Sequence, residues 1–418
     1  MKRIVVQQDR ERTQIALLEQ ERLIEFAAED HEYDGQLLGN YYKGRIVNVL
    51  PGMDAAFVDI GLKKNAFLHI DDLLPAHLEK HPKKKPSIEQ LVQIGQELLV
   101  QVTKEPLGTK GARVTTHYSL PGRWLVYMPH ADYVGVSRKI ETEEERERLK
   151  QFGEQFRQDE EGLILRTAAN GVAETSLQTD LEKLRERWHQ LSRAVASADA
   201  PAQIFQELDM LPRMVRDLFT EDVEEVILNR KQAADEVIRY TSSYSPELAG
   251  RVRAENHHAL FDKFGIQQEI EQLFQPRVWL KSGGYLHLDH TEALTVFDVN
   301  TGKYTGSVEL EETVFHTNLE AAEMIARLLR VRDIGGLIII DFIDMKKEAH
   351  REAVFEKLET CMKQDRTKSI VVGWTQLGLL EMTRKKVREH KSELGYSTCP
   401  TCAGLGLIQK HIAYLDEV

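Results

Sequence analysis

Two segments of the chain place a carboxylate where a charge is hard to keep. Val296-Phe297-Asp298-Val299-Asn300 and Ile338-Ile339-Ile340-Asp341-Phe342-Ile343-Asp344 each set an aspartate within or just after an apolar run. An ionised carboxylate in such a place must be paired, hydrogen-bonded or bound to a metal. If the two runs are neighbouring strands of one sheet, Asp298 and Asp341 repel each other, and a hard dication such as Mg²⁺ relieves the repulsion. The alternative is structural: Asp298 capping a turn and Asp344 capping the helix that follows. Cys399-Pro400-Thr401-Cys402 is the turn expected of half a zinc site. Cys361, the remaining cysteine, falls in a helical pattern and reads as a small buried residue. One such pair per chain points to a Zn²⁺ shared by two chains across a two-fold axis.

Ile164-Leu165-Arg166-Thr167-Ala168, with Ser137-Arg138-Lys139 upstream, puts a guanidinium and a hydroxyl directly after an apolar strand. Such a pair holds a phosphate well; the same arginine could equally pair with one of the chain's many carboxylates. Phe57 and Phe67 lie on adjacent short apolar runs, with Lys43 and Lys110 as basic neighbours. Exposed, these rings stack bases; buried, they are core, and the residues alone leave both readings open.

These side chains must be carried by something. Residues 3–6, 13–18 and 23–26 read as three strands. Five more short runs follow, at 42–49, 55–60, 66–70, 97–103 and 112–116, punctuated by Gly and Pro, the pattern of a small barrel of OB type. Further on, 124–128 and 163–165 read as strands and 180–196 as a helix. From residue 264 strand and helix alternate. Strands at 285–288 and 294–299 flank a turn-like Asp289-His290, a helix spans 309–330, a strand 337–343, a helix 346–363 and a strand 369–374. That alternation predicts an α/β layer with buried strands whose carboxyl ends line a crevice.

The 418 residues allow two to four domains, and 42% hydrophobic with 29% charged residues is ordinary for a soluble globular chain. No apolar stretch approaches the roughly 18 residues of a membrane span. The first apolar run ends at Val6, too early for a signal peptide, and three cysteines are too few for a disulfide framework. Together these predict a cytoplasmic protein without a membrane partner. Net charge is −12, so any nucleic-acid surface must be local. The basic runs are Lys80-His81-Pro82-Lys83-Lys84-Lys85 and Arg384-Lys385-Lys386 with Arg388, each more simply read as a solvated face. No Gly-rich phosphate loop is present, which removes nucleotide phosphotransfer from consideration.

Taken in order along the chain, these segments resemble the RNase E/RNase G family, nearer to its RNase G branch. Lys43-Gly44-Arg45-Ile46 through Ile60-Gly61 is similar to the start of that family's OB-fold RNA-binding domain, and Leu107-Gly108-Thr109-Lys110-Gly111 to its end. Ile164–Ala168 resembles its 5′-end sensor, Asp298-Val299-Asn300 and Ile340–Met345 its catalytic centre, and Cys399–Cys402 its zinc link. The resemblance implies Mg²⁺ on Asp298 and Asp341, with Asn300 beside the scissile phosphate. It implies a 5′-monophosphate pocket of Gly122, Val126, Arg138, Arg166 and Thr167, base contacts at Phe57, Phe67 and Lys110, and Zn²⁺ on Cys399 and Cys402 of two protomers in a homodimer.

The implied architecture is an RNase H-like domain from residues 1–35 and 212–273, holding an inserted OB fold (36–117) and 5′-sensor region (118–211). A DNase I-like catalytic subdomain (274–395) and a zinc-link tail (396–418) follow. The implied activity is hydrolysis of single-stranded, A/U-rich RNA, preferring 5′-monophosphorylated ends, in rRNA maturation and mRNA decay. With the chain ending at Val418, soon after Cys402, the family's further small domain and a tetramer are not expected. The competing function is a non-catalytic RNA-binding regulator that keeps only the OB fold; the Asp298/Asn300/Asp341 set argues against it.

Overall fold

Alternation of buried with half-buried or exposed residues builds strands such as Ala66–His69, Leu125–Met128, Leu294–Asn300 and Leu380–Arg384, whereas Lys2–Gln8 and Arg12–Glu19 carry consecutive buried residues. The computed structural model describes residues 1–31, 37–73, 86–106, 110–291, 293–302, 310–386 and 399–402. The chain divides into two compact units. The first is Met1–Ile15 with Ala28–Leu260, and the second is Ala16–Ala27 with Phe261–Val418.

In the first unit, strands Tyr41–Leu50, Ala55–Asp59, Ala66–His69, Arg113–Thr115 and Glu97–Lys104 pair in that order. Tyr41–Leu50 also pairs with Glu97–Lys104, so the sheet closes into a five-stranded barrel. Tyr42, Ile46, Val58, Leu68, Val100 and Val114 fill it. Closure is tight at Gly44, where a Cβ would stand 2.5 Å from Val58 Cγ1. Strand Ala202–Phe205 adds to the outside of Tyr41–Leu50.

A second sheet of this unit runs Val134–Val136, Gly162–Leu165, Leu125–Met128, Leu120–Pro121. Helices Glu143–Phe156 and Glu174–Ser197 supply Phe152, Leu177, Leu181 and Leu184 to its core, against Leu125, Leu163 and Leu165. Strand Lys2–Gln8 pairs in parallel with Val223–Leu228, which pairs in parallel with Val252–Ala254.

The second unit is built on a six-stranded sheet ordered Arg277–Trp279, Tyr285–His290, Leu294–Asn300, Gly336–Asp341, Leu380–Arg384, Ser369–Trp374. Only its central pair, Leu294–Asn300 with Gly336–Asp341, is parallel. A parallel pair needs a crossover, and helix Leu310–Val331 lies between the two strands in sequence. One face of the sheet is buried through Leu286, Leu288, Phe297, Val299, Ile338, Ile340, Leu380 and Met382.

Three expectations change here. Asp289-His290 is not a turn but the end of its strand, paired with Val296 and Thr295. The residue capping helix Glu348–Lys363 is Lys347, not Asp344. Arg384 is no solvated cation: it closes a strand, 5% exposed, with Nε 2.6 Å from Asp365 and Nη1 2.8 Å from Asp333. Its neighbours in the chain look like a basic run, but the strand pattern turns this one inward onto two carboxylates. Residues 80–85 and 388 lie outside the described residues.

Candidate functional sites

The parallel strands Leu294–Asn300 and Gly336–Asp341 end together, and their register pairs Asp298 with Asp341. Phe297 and Ile340, one step back on each strand, are buried on the other face, so period-two alternation turns both aspartates out. Neither is a cap. Asn300 Nδ2 donates to Asp298 Oδ2 at 2.8 Å. Burial, then the nearby charges of Asp298 and Asp344, hold the Asp341 carboxyl above its ordinary value. With Val299, Phe342, Ile343 and Asp344, the two aspartates line an open depression of about 270 Å³. Among the described residues no group of three or more His, Cys, Asp or Glu gathers closely enough to hold a metal unaided. Two adjacent carboxylates fit a cation that keeps most of its water, as Mg²⁺ does.

On the barrel, Phe57 and Phe67 are cross-strand partners with ring centroids 5.9 Å apart, edge to face. Both are half-buried and neither belongs to the barrel core, which Ala56, Val58, Ala66 and Leu68 occupy from the same strands. They therefore form an outer face, and the reading of these rings as core is removed. His69 extends it, 6.4 Å from the Phe67 ring. Lys110 is exposed beside the neighbouring Gly111, where a Cβ would fall 1.9 Å from the Asn65 carbonyl oxygen. Lys43 is engaged instead, bonding the Ala198 carbonyl at 2.8 Å and pairing with Glu97 at 3.3 Å.

Arg166 follows strand Gly162–Leu165. Its Nη1 donates to the Gly122 carbonyl at 2.7 Å and its Nη2 to Asp217 Oδ1 at 2.6 Å. Burial alone would raise the Asp217 carboxyl; Arg166 and Arg216 outweigh it and bring it down to about 2. Gly122 has no room for a side chain, since a Cβ would meet Asp180 Oδ2 at 2.5 Å. Thr167 is exposed and its hydroxyl lies 2.8 Å from Ser137 Oγ. Arg138 is exposed next to Ser137, and Val126 pairs with Ile164 on the adjoining strand. Gly122, Arg138, Arg166 and Thr167 thus gather at one end of this sheet. Sequence reasoning missed Asp217, which arrives from helix Met210–Leu218 with no local motif to mark it.

Cys399 is exposed and Cys402 half-buried. The backbone N–H groups of Cys402 and Thr401 point at the Cys399 sulfur and hold its thiol below the ordinary value, the polarity a metal-binding thiolate needs.

Residues 119–387 match the model of the Ribonuclease E/G family, and residues 38–116 match the S1 RNA binding domain. The chain is 44% identical to Ribonuclease G of Escherichia coli (strain K12) over 89% of its own length and 78% of that protein's. It is also 44% identical to Ribonuclease G of Haemophilus influenzae, over 95% and 82%. With Ribonuclease E of a Nostoc species it shares 39% identity over 88% of its own length and 54% of that protein's. This chain belongs to the ribonuclease E/G family.

Within this ribonuclease E/G chain, the S1 match covers the closed barrel that carries Phe57 and Phe67. The family match covers the sheet end around Arg166 and the Asp298/Asp341 pair. Among the described residues no helix is long and apolar enough to cross a membrane.

Proposed function

We propose that this endoribonuclease hydrolyses single-stranded, A/U-rich RNA at the Asp298/Asp341 pair, leaving 5′-phosphate and 3′-hydroxyl ends. The observation that carries the reading is the register of the two parallel strands, which sets two outward carboxylates side by side. Asp298 and Asp341 would hold Mg²⁺, and Asn300, whose Nδ2 gives one hydrogen to Asp298, would direct its second N–H at a phosphate oxygen. When bound, the ion supplies Lewis acidity at the phosphate and activates water. Water oxygen bonds to phosphorus, the bond to the 3′ oxygen breaks, and that oxygen takes a proton.

The outer face of Phe57 and Phe67 suits base stacking with Lys110 on the backbone. Arg166, fixed by Gly122 and Asp217, keeps further N–H donors, which with Thr167 and Arg138 would bind a terminal 5′-monophosphate. Cys399 and Cys402 of two copies would share one Zn²⁺ in a homodimer. We read the sheet of Lys2–Gln8 as RNase H-like and the six-stranded sheet as DNase I-like, with the boundaries given above. The setting is cytoplasmic rRNA maturation and mRNA decay.

The test is a time course on one RNA carrying a 5′-monophosphate, 5′-hydroxyl or 5′-triphosphate, with Mg²⁺ and with chelator. Cleavage should require the metal and be roughly ten-fold or more faster on the monophosphate, the effect of charge-assisted bonds worth about 1.5–3 kcal/mol each. Arg166→Ala should bring the monophosphate rate down to the hydroxyl rate and leave the latter alone. Equal rates on all three ends would remove the sensor role, and metal-independent cutting would remove the Mg²⁺ role.

A further inference from the structure

The row of side chains that contains Asp298 and Asp341 does not stop at them. Across the sheet of the second unit, Arg277 pairs with His287, His287 with Asp298, and Asp298 with Asp341. Directly opposite residues on adjacent strands share a face. All four therefore stand on the solvent face, while Val278, Leu286, Leu288 and Phe297 turn into the core. The next row along holds Trp279 with Tyr285, and Tyr285 with Asn300. With strands about 4.8 Å apart, Tyr285 is one strand and Trp279 two strands from Asn300.

This corner has the chemistry of a nucleotide site. Trp279 is 60% exposed, an unusual place for the largest apolar side chain, and its ring meets Tyr285 edge to face at 5.4 Å. The Arg277 guanidinium lies over the Tyr285 ring at 4.5 Å. Among the described residues its side chain has no ion pair or hydrogen bond, in a chain of net charge −12 where most structured arginines are paired. The platform is also held firmly. The hairpin joining the two strands closes through Leu280 N to the Gly284 carbonyl at 2.8 Å. Glu320, on helix Leu310–Val331, accepts from the backbone N–H of Lys281 at 2.5 Å and of Ser282 at 3.1 Å.

We infer that Trp279, Tyr285 and Arg277 form a stacking and phosphate subsite for the nucleotide next to the bond cut at Asp298 and Asp341. The inference rests on the hydrolytic reading of that pair. A base of the extended strand stacks on the exposed Trp279 face, Tyr285 buttresses it, and Arg277 meets the adjoining phosphate. Asp298 and Asp341, with a cation held between them, would no longer repel an RNA phosphate on the same face. An aromatic surface accepts any base, so the subsite sets position and affinity rather than sequence.

Single-turnover cleavage of a 5′-monophosphorylated single strand tests it, with melting curves as the folding control. Trp279→Ala should lower kcat/KM roughly ten-fold, and Trp279→Phe should restore most of it. An abasic residue beside the cleaved bond should slow the unmodified enzyme by a similar factor and Trp279→Ala no further. A Trp279→Ala enzyme that cuts like the unmodified one overturns the proposal. So does an equal abasic penalty in both, or a shift in sedimentation on Trp279→Ala that marks a protein interface instead. If the unmodified protein cuts no RNA, the hydrolytic reading has failed. The subsite is then judged by quenching of indole emission by the same RNA: quenching that persists in Trp279→Phe overturns it, and quenching that disappears supports it.

Discussion

At the scale of single residues, the Asp298/Asp341 pair is held together at a cost in stability. Asp341 is held above its ordinary value by burial and by Asp298 and Asp344, so its charged form is disfavoured in the folded chain. Asp298→Asn or Asp341→Asn should abolish cleavage while leaving RNA affinity within several-fold, the pattern of a lost transition-state interaction. In chelator the same variants should melt higher than the unmodified protein, and any gain in melting temperature that Mg²⁺ gives the unmodified protein should be lost in them. Calorimetry with and without Mg²⁺ checks both signs; a variant as Mg²⁺-responsive as the parent would detach the metal from these residues.

Asp217 behaves oppositely. Its carboxyl falls to about 2 in the folded chain, below the unfolded value, so its contribution is present above about pH 4 and is lost as pH drops through the folded value. Asp217→Asn should remove on the order of 2 kcal/mol at neutral pH and flatten the acid limb of the stability curve between about pH 4 and 2, measured by denaturant titration.

At the scale of elements, the barrel shows how one alternating strand serves two purposes. Ala56 and Val58 face in while Phe57 faces out, and Ala66 and Leu68 do the same around Phe67. Phe57→Ala or Phe67→Ala should weaken single-strand binding by about 1–3 kcal/mol with little change in melting. Leu68→Ala, in the barrel core, should lose about 2–5 kcal/mol of stability. Binding isotherms beside melting curves separate the two classes, and a large melting loss at Phe57 would return it to the core. Strands Tyr41–Leu50 and Ala55–Asp59 were legible from this alternation and from the Pro51-Gly52 that ends the first. Strand Leu380–Arg384 was not. Its last residue is a charge that reads as surface until Asp365 and Asp333 come to meet it.

At the scale of the whole molecule, the Arg166 sheet end belongs to the first unit and the carboxylate pair to the second. The proposed zinc link bears on assembly. Elemental analysis should find half a zinc per chain, and Cys399→Ser or Cys402→Ser should release it and turn a sedimenting dimer into a monomer. One zinc per chain, or a dimer that survives both substitutions, would count against a shared site.

The sequence by itself determined whatever depends on neighbours along the chain. It marked the barrel strands and the two runs that Asp298 and Asp341 interrupt, that Arg166 and Thr167 follow another, and that Cys399 and Cys402 share a turn. It also carried the family resemblance in its order of motifs. Tertiary structure decided which residues from distant segments meet. The register of two parallel strands joins Asp298 to Asp341. Barrel closure turns Phe57 and Phe67 outward. A helix brings Asp217 to Arg166, and a hairpin lays Arg277, Trp279 and Tyr285 beside the carboxylates. The physical reason is that alternation within a strand specifies a face but not a partner. Partners are chosen by hydrogen-bond register and core packing between segments that the chain order keeps far apart.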